Sequence, residues 1–188
     1  MCHALFLDPK FFRLLLDIDQ ELAAQRRVGG CSCGGVLHRA DYPRKPRGGL
    51  SEARADYQSR FSFCCSKCRK RSTSMSVRFL GRRVYLALAV VLGSARHAGQ
   101  NPVAARLCTT LNVPVRTLQR WRQWWVEQFP LTPLWHAASA RFMPPVATDL
   151  FPASLLERFA GNADQALMRL LVFLRPITVG TTALREGR

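Results

Sequence analysis

Apolar residues near the start of the chain recur at the spacing of an amphipathic helix. Asp8 is suited to cap this helix, Pro9 fits its first turn, and Gly29 with Gly30 ends it. The predicted helix presents a stripe of apolar side chains, namely Phe11, Leu15, Ile18 and Leu22, widened by Phe12, Leu14 and Leu16. Such a stripe usually joins a hydrophobic core, and docking of a partner is the alternative.

The apolar stretches of the sequence become shorter over residues 31 to 80. The stretches GVLHRADYPRKPRG and YQSRFSFCC predict short strands, the second with Phe61 and Phe63 on one face and Arg60 and Ser62 on the other. RSTSMSVRFL predicts a third strand or an extended segment, and LSEARADYQS predicts a polar loop. This segment is therefore expected to form a small β unit.

Helical periodicity returns at Arg82. Three helices are predicted within RRVYLALAVVLGSARHAGQ, PVAARLCTTLN and PVRTLQRWRQWWVEQF, with a break at LNVP. A proline-containing connector follows, then two helices in PASLLERFAG and NADQALMRLLVFLRP, the latter capped by Asn162 or Asp164, and a frayed end, GTTALREGR. The fold class is mainly α with a small β unit, divided into residues 1–30, 31–80, 81–128 and 129–188.

Membrane spanning is not expected, because the longest apolar run, VYLALAVVL, is shorter than the roughly 20 residues that a spanning helix needs. The start of the chain also lacks the pattern of a secretory signal. The expected location is therefore a reducing cytoplasm, where disulfides are disfavoured.

Two cysteine pairs in the β unit predict a metal site. Cys31-x-Cys33 lies between glycines that permit a sharp turn, and Cys65-x-x-Cys68 has the spacing of a metal clamp. Four thiolates without an open position suit one structural Zn²⁺ per chain, and the segment then becomes a zinc ribbon. Cys64 and His38 are the replacements if the register differs. A redox Cys-x-x-Cys is less consistent, because no βαβ pattern adjoins it.

Positive charge is concentrated around these cysteines. The formal net charge is +16, and residues 31 to 128 hold eighteen of the 28 Lys and Arg residues but four of the 12 acids. A polyanion is the natural partner of such a surface. The cations expected to contact phosphates in this segment are Arg44, Lys45, Arg47, Lys67, Lys70 and Arg71.

The stretch AARLCTTLNVPVRTLQRWRQWW resembles the helix-turn-helix of bacterial DNA-binding proteins. In that alignment Leu118 and Trp121 anchor the third helix, and Trp124 and Trp125 also pack in the core. The predicted DNA contacts of this helix are Arg116, Thr117, Gln119, Arg120, Arg122 and Gln123. Arg and Gln are side chains that read guanine and adenine edges in the major groove.

A cysteine-paired ribbon followed by a basic helical segment and a helix-turn-helix resembles the amino-terminal DNA-binding part of bacterial insertion-sequence transposases. The resemblance covers residues 31 to about 128, and Cys-x-Cys replaces the usual first Cys-x-x-Cys. It implies binding to double-stranded DNA at the ends of a mobile element, on the bacterial nucleoid, with a separate transposase or recombinase subunit as a partner.

A catalytic role is not expected. Strand transfer with two metal ions needs three carboxylates, whereas the acids after residue 128 lie in segments predicted as helix and tail, at Asp149, Glu157, Asp164 and Glu186. The sequence therefore predicts a non-enzymatic, sequence-specific DNA-binding protein that assists or regulates a mobile element. A truncated or inactive transposase and a zinc-dependent RNA-binding protein are the alternatives. The terminal helices are expected either to pack together or to form a homodimer or partner surface.

Overall fold

The computed structural model describes residues 8–45, 52–80, 87, 90, 91 and 113–179. The described part of the chain is mainly helical with a small antiparallel β component. Its α-helices with defined bounds are α1 (Pro9–Val28), α2 (Val115–Gln123), α3 (Pro133–Ala138), α4 (Ala153–Leu156) and α5 (Ala163–Leu174). Its strands are β1 (Leu37–Arg39), β2 (Tyr42–Pro43), β3 (Ser59–Arg60), β4 (Ser62–Cys65) and β5 (Arg71–Thr73).

Helix α1 forms where the sequence predicts it. The Asp8 carboxylate accepts a hydrogen bond from the backbone N–H of Lys10 at 2.9 Å, and Pro9 occupies the first turn. The buried face consists of Phe11, Phe12, Leu15, Leu16, Asp19 and Ala23. Leu14, which was expected to widen the apolar stripe, is 43% exposed, and Ile18 and Leu22 are half-buried.

The β component consists of two small antiparallel sheets. In the first, β4 lies between β1 and β5, and in the second β2 pairs with β3. Both sets of alternating residues along β3 and β4 are buried, because Arg60 and Ser62 are as inaccessible to solvent as Phe61 and Phe63. The C-terminal part of RSTSMSVRFL is likewise buried, although only Arg71–Thr73 of that stretch is a strand.

The predicted polar loop contains a 3-10 helix, Glu52–Tyr57, and a buried residue. Tyr57 is 2% exposed and donates its hydroxyl to the backbone carbonyl of Phe12 at 2.8 Å. Its ring also contacts the rings of Phe12 and Phe79 edge to face. Tyr57 thereby joins α1 to the segment that follows β5.

Aromatic side chains dominate the region after α2. A π-helical turn, Trp124–Gln128, and a 3-10 turn, Phe129–Leu131, continue the chain into α3. Trp125 is fully buried and lies 4.8 Å from Phe129 and 6.5 Å from Phe151, measured between ring centroids. The prediction that Trp121, Trp124 and Trp125 pack in the core is confirmed.

Helices α4 and α5 occupy the two predicted C-terminal segments, joined by Gly161 at a positive φ of 111°. Asn162, rather than Asp164, caps α5, and with Gln165 it forms a reciprocal capping box. Beyond α5, the backbone carbonyl of Thr178 accepts from Arg60 at 2.7 Å, and its hydroxyl accepts from the N–H of Ser76 at 3.0 Å. The end of the described chain therefore docks on the β component.

One hydrophobic cluster contains side chains from all four predicted segments, including Phe12, Phe79, Trp125 and Leu170. Both predicted terminal helices thus contribute to one core. The cluster also includes Ala87, Val90 and Val91, the described helical residues of the segment predicted from Arg82.

Several predicted features lie outside the described residues. They are the remainder of the helix predicted from Arg82, the second helix of the helix-turn-helix, Arg47, the frayed end, Cys2 and Cys108. No helix in the described ranges is long and apolar enough to cross a membrane.

Candidate metal centre and basic surface

The first cysteine pair lies in a tight turn between α1 and β1. Gly30 and Gly34 adopt positive φ values of 62° and 73°, a conformation that favours glycine. The turn is closed by backbone hydrogen bonds from the N–H of Gly34 to the carbonyl of Cys31 at 2.8 Å and from the N–H of Cys31 to the carbonyl of Gly35 at 3.2 Å. The flanking glycines thus allow Cys31 and Cys33 to approach the second pair.

The second pair lies at the end of β4 and in the turn before β5. The N–H of Cys65 donates to the carbonyl of Lys70 at 3.1 Å, which closes the turn around Cys68. Arg69 reverses the chain at a φ of 58° and is the non-glycine residue with positive φ in the described structure. Glycine is the usual choice for such a conformation, so the arginine occupies this position at a backbone cost.

The two turns are held together by strand pairing and by close approach. Leu37 of β1 is opposite Cys65 of β4, and the N–H of Ser66 donates to the carbonyl of Val36 at 2.9 Å. A Cβ atom added to Gly35 would overlap the Sγ of Cys65. Glycine is therefore needed at position 35 because any larger residue would collide with the sulfur of Cys65.

The four sulfur atoms form one cluster. The Sγ atoms of Cys31, Cys33, Cys65 and Cys68 all lie within 4.8 Å of one another. Cys31 Sγ is 3.6 Å from Cys68 Sγ, and Cys33 Sγ is 3.4 Å from Cys65 Sγ. A tetrahedral zinc site with Zn–S bonds of about 2.3 Å places its sulfurs about 3.8 Å apart. The cluster can therefore hold a metal ion, as the two cysteine pairs predict.

The pKa values of these thiols differ because each sulfur lies close to other sulfurs and to backbone N–H groups. The pKa of Cys65 falls to about 6, mainly because the backbone N–H of Cys68 donates to its sulfur. The pKa of Cys31 is also lowered, first by the N–H of Cys33. For Cys68 the N–H of Lys70 favours the thiolate, but the other sulfurs and burial together outweigh it and raise the pKa to about 11. Four adjacent thiolates require a positive charge among them, which a divalent cation supplies.

The two replacement ligands are outside this cluster. Cys64 points away from the other sulfurs, and its Sγ lies 3.5 Å from the carbonyl oxygen of Arg69. His38 is opposite Cys64 in the β1–β4 register and is exposed. Adjacent positions on a strand face opposite sides of a sheet, so the burial of Cys65 in the cluster turns Cys64 outward.

Exposed cations surround the second turn. Lys67, Lys70 and Arg71, the predicted phosphate contacts, are exposed, and so is Arg69 between them. Among the described residues, no carboxylate lies within 4.0 Å of any of these four cations. The metal centre is therefore bordered by a basic surface that lacks acidic partners.

Of the three phosphate contacts predicted within residues 44 to 47, the structure describes two. Arg44 is half-buried and Lys45 is exposed beside β2, whereas Arg47 lies outside the described residues. Arg44 lies near the ring of Tyr42, with 5.9 Å between its Cζ and the ring centroid. Tyr42 was not predicted as a site residue. Its position directly before the Pro-Arg-Lys-Pro-Arg run could have indicated that it lies beside cations.

Helix α2 presents some of its predicted contacts to solvent. Arg116, Gln119 and Arg120 are exposed, and Leu118 and Trp121 are buried, as expected. Thr117 is 7% exposed, which leaves little of its side chain for contact with DNA, because it faces the core one turn before Trp121. Of the two further predicted contacts, Arg122 is half-buried, whereas Gln123 is exposed and donates to the Glu127 carboxylate at 3.0 Å.

Comparison with known proteins gives no further assignment. No family model, no curated protein and no solved structure matches this chain.

Proposed function

We propose that this chain is a non-enzymatic, zinc-containing protein that binds double-stranded DNA in a sequence-specific manner. The observation that carries the proposal is the position of the four-cysteine cluster next to exposed cations without carboxylate partners among the described residues. Such cations remain available for phosphate groups, and phosphate contacts supply most of the affinity of a protein for duplex DNA.

Zinc is the proposed occupant of the cluster. Cys31, Cys33, Cys65 and Cys68 would hold it, and their soft sulfur ligands leave no position for a substrate or water. The ion would offset part of the negative charge of the thiolates and hold in place the turn that carries Lys67 and Lys70. Its role is therefore structural, with one Zn²⁺ per chain.

In this proposal, helix α2 makes the contacts that distinguish one DNA sequence from another. Arg116, Gln119 and Arg120 are exposed on this helix, and Leu118 and Trp121 fix the opposite side to the core. Exposed Arg and Gln on one helix suit readout of base edges in a major groove. The basic surface around Cys68 would contribute contacts to phosphates, which are independent of sequence.

A role in assisting or regulating a mobile element is the biological setting we propose. Its support is the resemblance of residues 31 to about 128 to the DNA-binding part of insertion-sequence transposases. The corresponding partner would be a separate transposase or recombinase subunit. A truncated transposase shares the same DNA-binding surface, and the presence of a catalytic reading frame beside the gene separates the two cases.

Binding titrations with labelled nucleic acids test the proposed function. The metal-loaded protein is titrated against a DNA duplex and a structured RNA of equal length at several salt concentrations. We expect tighter binding to the duplex, with an affinity that falls linearly with salt on logarithmic axes. Replacement of Lys67, Lys70 or Arg71 by Gln should flatten this slope by about 0.9 for each phosphate that the variant no longer neutralises. Tighter binding to the RNA would contradict the proposal and favour an RNA-binding zinc protein.

A further inference from the structure

Two arginines lie over one tyrosine at the smaller sheet, and a third arginine is opposite that tyrosine on the paired strand. Tyr42 of β2 and Arg60 of β3 are opposite each other in the strand register, and such pairs project from the same face of a sheet. The Cζ of Arg71 lies 4.4 Å from the centroid of the Tyr42 ring, and the Cζ of Arg44 lies 5.9 Å from it. Tyr42 is therefore in contact with two guanidinium groups and lies opposite a third arginine in the strand register.

The contacts of these arginines leave their charge unneutralised. In the part of the chain that the structure describes, none of the three has a carboxylate oxygen within 4.0 Å. Arg60 donates to the backbone carbonyls of Ser74 and Thr178, and Arg71 donates to that of Ala40. Backbone carbonyls accept hydrogen bonds but carry no net charge, so an anion is the missing complement.

Two nitrogen atoms at this site are buried without a partner. They are the Nε atoms of Arg44 and Arg60, neither of which makes a hydrogen bond. A buried donor without an acceptor is costly and uncommon in folded proteins, so an absent ligand is a direct explanation. Burial lowers the pKa of Arg44 and lowers that of Arg60 to about 10; Asp19 raises the pKa of Arg60, and the charges of Arg44 and Arg78 lower it. An anion bound beside them would offset the cost of burying these positive charges.

We infer that Arg44 and Arg71, which both lie over Tyr42, form a binding site for a phosphate group together with the neighbouring Arg60. Arg44 and Arg71 would contact the phosphate oxygens, because a guanidinium presents paired N–H donors that match such a group. Arg60 is 3% exposed and would add its charge from beneath. The contact of Arg71 with Tyr42 would keep its guanidinium in place before the ligand binds.

The source of the phosphate follows from the proposed function, on which this part of the inference rests. A phosphodiester of bound DNA is the expected ligand, and free inorganic phosphate is the alternative source with the same chemistry. The site would give the β component a fixed point of attachment to the nucleic-acid backbone, separate from the base contacts proposed for α2.

The test uses the metal-loaded full chain and two probes, a labelled DNA duplex in a salt titration and inorganic phosphate in a thermal-unfolding assay. Arg44→Gln and Arg71→Gln should each weaken duplex binding about tenfold and flatten the salt slope by about 0.9. Inorganic phosphate should raise the unfolding temperature of the wild type and leave that of Arg44→Gln unchanged. Arg141→Gln, which removes an exposed cation from the C-terminal part, is the matched control and should bind as the wild type does.

Arg71→Lys keeps the positive charge at this position. It provides a second test of the site if the Gln variants fail to fold. It should retain the salt slope but bind less tightly, because an ammonium lacks the paired donors. Duplex binding by Arg44→Gln, Arg71→Gln and Arg71→Lys equal to that of the wild type would overturn the site. A wild type that binds no duplex but is stabilised by phosphate through Arg44 would support the site and contradict the proposed function. A wild type that responds to neither probe would contradict both.

Discussion

Arg78 and Asp19 form a buried ion pair in which Arg78 Nε donates to Asp19 Oδ2 at 2.7 Å, with both side chains at most 2% exposed. The second carboxylate oxygen accepts from the N–H of Val77 at 2.7 Å. The remaining nitrogens of Arg78 donate to the carbonyls of Asp56 and Ser59. This network ties α1 to the chain on either side of the second metal-binding turn, so α1 belongs to the fold of the β component.

The first prediction concerns this pair. Asp19→Ala should lower the free energy of unfolding by about 3–5 kcal/mol, because it leaves the Arg78 charge buried without its partner. Asp17→Ala is the matched control, since Asp17 is 54% exposed and pairs with Arg13 at the surface. Its effect should stay within about 1 kcal/mol. Urea denaturation of both variants measures the difference, and equal stabilities would show that the pair has no net structural role.

The second prediction concerns Gly35. Gly35→Ala should destabilise the protein by about 1–3 kcal/mol and weaken metal retention, because the new Cβ overlaps the Sγ of Cys65. Gly29→Ala is the control, since a Cβ at Gly29 meets its nearest neighbour at an ordinary 3.5 Å. Metal content per chain and thermal unfolding of the two variants are compared. Normal metal content in Gly35→Ala would show that the turns separate more easily than the structure implies.

The third prediction separates the two adjacent cysteines of β4. Cys65→Ser should lose the metal and the local fold together, because metal binding and folding are coupled in such sites. Cys64→Ser should retain about one equivalent of zinc, since its sulfur lies outside the cluster. Elemental analysis of protein purified without added zinc gives the answer. A requirement for Cys64 would contradict the assigned ligand set.

The fourth prediction concerns the positive φ of Arg69. Arg69→Gly should leave stability within about 1 kcal/mol of the wild type, because relief of backbone strain offsets the greater chain entropy of glycine. Arg69→Val should cost about 1–3 kcal/mol, since a β-branched residue at this φ is strongly disfavoured. Chemical denaturation with zinc present compares the two. Similar stability of the Val and Gly variants would show that the turn changes conformation in solution.

The metal cluster and α1 were predictable from local pattern. Paired cysteines at short spacing point to a common ion, and Asp8 with Pro9 marks a helix start, because both signals depend on residues close together in the chain. The exposed positions of α2 followed from helical spacing for Arg116, Gln119 and Arg120. The same spacing did not identify Thr117 as buried, because a polar residue beside the apolar stripe faces the core or solvent according to tertiary packing.

Other features depend on contacts between distant parts of the chain. The burial of Arg60 was not predicted, and it depends on the Thr178 carbonyl, 118 residues later, which accepts a hydrogen bond from Arg60. The need for glycine at position 35, in the turn before β1, arises from the sulfur of Cys65 at the end of β4. No periodicity encodes such pairs, so these features required the structure.

Selection of binding sites from random DNA duplexes is the measurement that tests sequence-specific DNA binding most directly. The wild-type, zinc-loaded protein should enrich one motif. Arg116→Ala, Gln119→Ala or Arg120→Ala should relax the preference at individual bases, and each should cost about 1–3 kcal/mol on the preferred site if the side chain makes a bidentate hydrogen bond to a base. Lys67→Gln should leave the motif unchanged while weakening binding to all sequences. Absence of any enriched motif, together with unchanged binding by the three α2 variants, would contradict the account.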